Sequence, residues 1–127
     1  MSHTTKYKVA ITDKECAVAA LKRMGWTDSR VEIHDEAQEL LDYAGRRMGL
    51  FANVIVRCKN LSGDVNDFGI AVGEEDGEVF ADGKQIDQER LVQFYGAEKA
   101  LKEANARGYF TAEEVLDDGT IRLRLRR

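Results

Sequence analysis

The chain has 127 residues, a net charge of −4 and a sequence pI of about 5.2, which disfavours broad attraction to nucleic acid or an anionic membrane and confines any anion site to a local patch. Its 43% hydrophobic and 33% charged residues allow a real core and lack the signature of disorder, so one domain spanning 1–127 is expected. Two cysteines, Cys16 and Cys58, are too few for a secreted disulfide scaffold, no apolar run is long enough to span a bilayer, and the first residues carry no apolar signal core. The expectation is a soluble, cytoplasmic protein with no membrane partner.

Lys6 to Ile11 alternates apolar Tyr7, Val9 and Ile11 with Lys6, Lys8 and Ala10, which predicts a first strand. Thr12-Asp13-Lys14-Glu15 reads as a capping box, with Thr12 as the cap and Glu15 reaching back to it. Ala17, Ala20, Leu21 and Met24 then recur on one helical face, and Gly25 closes the helix with Trp26 folding back on Leu21. Arg30 to His34 predicts a short strand. In Asp35 to Leu50 the residues Glu36 to Leu41 have helical propensity and Tyr43 to Arg47 resemble a loop, so helix and loop both stand. Ala52 to Cys58 predicts a strand, with Val54-Ile55-Val56 suited to a position covered on both faces.

Phe68 to Val72 and Glu78 to Asp82 predict a hairpin turning at Asp76-Gly77. Asp87 caps a long helix running to about Arg107. Gly96 inside it marks a bend or a close contact, and Gly108 ends it. Tyr109 to Arg127 predicts a closing hairpin turning at Asp118-Gly119. A two-residue turn sets Glu113 opposite Arg124, and a three-residue turn sets Glu114 opposite Arg122. The order β-α-β-β-β-β-α-β-β predicts an α+β fold: a twisted antiparallel sheet of about six or seven strands with two helices on one face.

Chemistry-bearing motifs are sparse. His3, His34, Cys16 and Cys58 lack the paired spacings of a zinc site, and the cysteines read as small core hydrophobes. In the first turn of a helix the dipole would lower the Cys16 thiol pKa. Asp64, Asn66 and Asp67 offer oxygen ligands without the spacing of a calcium loop, and they read as turn residues. The acidic turns at Asp76, Asp82 and Asp118 read as exposed tips. No hydrolase elbow, phosphate loop or dinucleotide fingerprint is present. No catalytic, cofactor or metal residue is therefore assigned. The basic features are Arg46-Arg47 and the stripe Arg122, Arg124, Arg126 and Arg127. On a strand, alternate arginines stand about 7 Å apart on one face, close to a phosphate spacing.

Several short stretches occur together in order. They are Met1-Ser2-His3, Ile11-Thr12-Asp13-Lys14-Glu15, Ala20-Leu21, Gly25, Tyr43-Ala44-Gly45, Ala52-Asn53-Val54-Ile55-Val56-Arg57, Asn66-Asp67-Phe68-Gly69, Tyr95-Gly96-Ala97 and Asp118-Gly119-Thr120-Ile121. Over nearly its whole length the chain resembles the conserved hypothetical chloroplast open-reading-frame 35 family, a domain of unknown function of plastids, cyanobacteria, other bacteria and phages. The resemblance implies a compact protein away from membranes. It also implies a setting in an ATPase-linked assembly, which no residue pattern supplies. The function read here is a small non-enzymatic adaptor that binds another protein. The alternative is a weak nucleic-acid or phosphate-anion binder using the arginine strand, and an enzyme with an unrecognised site is a third reading.

Overall fold

A computed structural model describes residues 3–83 and 85–126. The elements follow the order β1 (Thr4–Val9), α1 (Lys14–Arg23), β2 (Glu32–Leu41), β3 (Arg47–Val56), β4 (Phe68–Ala71), β5 (Gly77–Asp82), α2 (Gln88–Ala106), β6 (Phe110–Val115) and β7 (Ile121–Arg126). The fold is α+β, as the pattern predicts. The seven strands do not form one sheet, however. Five make an antiparallel sheet ordered β1-β5-β4-β3-β2, and β6 and β7 pair only with each other.

Alternation over 54–56, 68–70 and 79–81 builds the two faces of the larger sheet. Val54, Val56, Phe68, Ile70, Val79 and Ala81 point into the main core, where they meet Ala17, Ala20 and Leu21 of α1 and Leu91 and Tyr95 of α2. Both helices therefore cover one face. The intervening residues Ile55 and Phe80 point the other way and form a second, smaller core with Leu40 and Ala52. Gly69 lets the β2–β3 hairpin close over this second face: a Cβ there would stand 2.8 Å from the Ala52 Cβ and 3.0 Å from the Leu40 methyls.

The segment Asp35 to Leu50 is not helix, and the loop read at Tyr43 to Arg47 is present as a turn between two strands. The segment is strand, a turn at 42–46, and strand again. The helical propensity of Glu36 to Leu41 yields to pairing with β3 and to complete burial of Leu40. Two register shifts, between Ile33 and Gln38 and between Glu39 and Leu41, interrupt the β2–β3 ladder.

The first helix ends as its sequence predicts. Trp26 N–H bonds the Leu21 carbonyl at 3.0 Å, Gly25 N–H bonds that of Lys22 at 3.0 Å, and Gly25 has φ +93°. Its start is shifted by one residue. Asp13, not Thr12, is the cap and accepts from Cys16 N–H at 3.1 Å. The Tyr95 phenol oxygen accepts from Thr12 N–H at 3.0 Å and Asp13 N–H at 3.1 Å. The amides that Glu15 would have reached are thus already satisfied, and Glu15 pairs with Lys102 at 3.2 Å. Gly96 has open space around its Cβ position, which removes the close contact expected there, and α2 runs through it without a break.

Candidate functional site

The C-terminal hairpin stands apart from the larger sheet and rests on α2. Its turn is the three-residue kind: Leu116 N–H bonds the Thr120 carbonyl at 2.8 Å and Gly119 N–H bonds the Leu116 carbonyl at 2.9 Å. This fixes the register that sets Glu114 opposite Arg122, Ala112 opposite Arg124 and Phe110 opposite Arg126. Opposed residues share a face, so the outer face carries Arg122, Arg124, Arg126, Glu114, Ala112 and Phe110. The inner face carries Ile121, Leu123, Leu125, Thr111, Glu113 and Val115.

Side chains of both helices anchor the hairpin. Arg23, in the last turn of α1, donates through both terminal nitrogens to Glu113 at 2.7 and 2.9 Å and through Nε to Glu98 of α2 at 2.7 Å. Its guanidinium lies over the Phe94 ring, 5.7 Å from the centroid. The side chain of Gln93 donates to the Gly119 carbonyl. Glu113 is therefore a clasp to α1 rather than a cross-strand partner of Arg124. Ninety residues separate Arg23 from Glu113, and no local pattern in the sequence marks the pair.

On the outer face one carboxylate serves two arginines. Glu114 lies 3.8 Å from Arg122 and 3.4 Å from Arg124, with all three side chains about half exposed or more. Among the described residues Arg126 has no carboxylate partner, and its cross-strand neighbour is Phe110. Phe110 is 70% exposed, Val115 65% and Leu125 53%. These are the three most exposed large hydrophobic side chains among the described residues, and all lie on this hairpin. Arg127 falls outside the described residues. Arg46 and Arg47 belong to the β2–β3 hairpin instead and pair there with Asp42 at 3.2 Å and Glu39 at 3.3 Å.

The other polar candidates are structural. Asp67 is almost fully buried and accepts from Cys58 N–H at 2.8 Å, Leu41 N–H at 2.9 Å and Arg57 at 2.8 Å. Arg57 grips both oxygens of Glu32 with its remaining nitrogens, and Glu32 also meets His34 Nε2 at 2.9 Å. The arginine beside it holds the Glu32 carboxyl below the usual range. Asn66 accepts from Tyr43 N–H and donates to Thr4 Oγ1, at 3.0 and 2.9 Å. Asp82, expected at an exposed turn tip, is buried at the end of β5 and accepts from Asn66 N–H at 2.8 Å and His3 N–H at 3.2 Å. These oxygens already hold backbone amides and side-chain donors. Among the described residues no group of three histidine, cysteine or acidic side chains converges as a metal site.

Both cysteines are free thiols, Cys16 buried and Cys58 partly so. Burial pushes both thiols above their ordinary pKa, and nearby Asp13 adds to this at Cys16. At Cys16, 4% exposed in the main core as a small hydrophobe, burial outweighs the helix dipole. No described helix is long and apolar enough to cross a membrane. The chain matches no family model, no curated protein and no solved structure.

Proposed function

We propose that this chain is a non-enzymatic interaction module that docks another protein through its C-terminal hairpin. The observation that carries the reading is the concentration of exposed Phe110, Val115 and Leu125 on a two-stranded element whose strands each have one open edge. Exposed apolar side chains beside unpaired backbone groups are the usual means by which sheets recruit partners. The resemblance to the chloroplast open-reading-frame 35 family belongs to this proposal and rests on the motif order; the ATPase-linked setting comes through that resemblance and from no residue pattern.

A second reading has its own support. Phe110 beside Arg126, with Arg124 and Arg122 following at strand spacing, combines a stacking surface with a short cationic track. The net charge of −4 and the Glu114 pairs weigh against it.

Crosslinking in native lysate, with and without nuclease, separates the two. The full chain should crosslink to a protein through the hairpin whether or not nuclease is present. Phe110→Ser with Val115→Ser should lose those crosslinks while melting at the same temperature, since both side chains are exposed. Crosslinks unchanged in that variant would overturn the docking reading, and crosslinks abolished by nuclease would move the function to nucleic acid.

A further inference from the structure

Among the described residues the outer edges of β1, β2, β6 and β7 are not equivalent. β1 borders the larger sheet but is guarded by Lys6 and Lys8, which pair across the ladder with Glu78 at 3.3 Å and Asp76 at 3.7 Å. β2 borders the other side, where its ladder is broken by two register shifts. The β6 edge carries Glu113, which Arg23 of α1 clasps. β7 is left: six residues in regular register, paired on one side only.

The phase of its backbone groups follows from the turn. The bond from Leu116 N–H to the Thr120 carbonyl makes that pair face inward. Antiparallel ladders alternate, so Arg122, Arg124 and Arg126 turn their amides toward β6, while Ile121, Leu123 and Leu125 turn theirs to the open edge. A strand laid on that edge would meet arginines on one face and leucines on the other. Charge then selects the occupant. A second copy offering its own β7 would bring arginine opposite arginine, and like charges directly across a ladder are repulsive. Three arginines against one shared glutamate require acidic side chains at alternate positions. The half-exposed Leu125 requires apolar residues between them.

We infer that the open edge of β7 accepts an extended segment of another protein, acidic and apolar at alternate residues, as a third strand of the hairpin. This rests on the docking reading and supplies its partner chemistry. Six residues, about 20 Å of strand, fill the edge. The backbone supplies the ladder, and Arg122, Arg124 and Arg126 supply the choice.

A fluorescein-labelled peptide alternating glutamate and valine, titrated with the full chain and followed by anisotropy, tests the inference. It should bind. Binding should weaken at least tenfold with R122Q/R124Q/R126Q, whose inner apolar face is untouched, and at least tenfold when the peptide amides are N-methylated along one edge. R46Q/R47Q should change nothing. A peptide of the same composition with its glutamates in one block should bind poorly. Absence of binding, or binding indifferent to N-methylation or to the triple variant, overturns the inference. So does preference for oligothymidylate, which would reassign the face to nucleic acid. If the peptide fails while hairpin-dependent protein crosslinks persist, the strand-addition inference falls and the docking reading stands. Crosslinks that map to other elements end both.

Discussion

Gly25 has φ +93° and nothing within 4 Å of its Cβ position, so replacing it tests backbone conformation without a steric clash. Gly25→Ala should cost about 1 kcal/mol in chemical unfolding; an unchanged midpoint would contradict the left-handed cap. Asp13 gives a pH-dependent counterpart. Lys102 bonds it at 2.7 Å and the Cys16 amide at 3.1 Å, and together they hold its carboxyl below the ordinary 3.8 against the opposing effect of burial. A carboxylate depressed in the folded state adds stability that is complete above its unfolded pKa of about 4 and is lost as pH falls through the lower folded value. Asn is an equally good cap but does not titrate. The melting-temperature gap between wild type and Asp13→Asn should therefore be constant above about pH 5 and shrink below pH 4. Parallel curves down to pH 2 would show that the ion pair contributes nothing.

At the scale of elements, Asp67 joins three pieces of chain: the end of β2 through Leu41, the turn after β3 through Cys58, and β4 that follows it. Asp67→Ala takes the acceptor from the partly buried Leu41 and Cys58 amides and leaves Arg57 Nη1 with the Glu39 carbonyl alone. It should lower stability by about 3 kcal/mol in urea unfolding; a loss under 1 kcal/mol would mean that water replaces the carboxylate. Much at this scale was legible in the sequence. The Met24-Gly25-Trp26 ending, the Asp87 cap, the Val54-Ile55-Val56 run in β3 and the alternation in β7 are local patterns, and each formed the element it predicts, whereas the β4–β5 connection bends at 74–75 and takes Gly77, expected in the turn, into β5. What failed depends on partners distant in sequence. Glu36 to Leu41 follows its ladder with β3 and not its propensity. The Thr12 amide is taken by Tyr95, 83 residues away, which makes Asp13 the cap. Asn66 and Asp67 resemble a cation loop until the amides that fill their oxygens are seen.

For the whole molecule, the packing divides the chain into a finished part and an unfinished one. The larger sheet has helices on one face and its own β2–β3 hairpin on the other, and the described residues leave no buried side-chain polar atom without a partner. The C-terminal hairpin has one side against α2, its arginines outward and Phe110, Val115 and Leu125 each more than half exposed. Four of the six arginines read from the sequence as basic candidates lie on or beyond this hairpin, but the apolar exposure around them was not legible. Val115 and Leu125 lie on the inner face of the hairpin, of which α2 covers only part. Only the register, fixed by Leu116 and Thr120, shows which backbone groups face the open edge. The most direct measurement of the central claim is amide proton exchange, resolved by NMR, on the full chain with and without the alternating glutamate–valine peptide. The amides of Ile121, Leu123 and Leu125 should become protected while those of Arg122, Arg124 and Arg126, already bonded to β6, change little. Protection appearing at β1 instead, or spread equally over all six residues of β7, would contradict it.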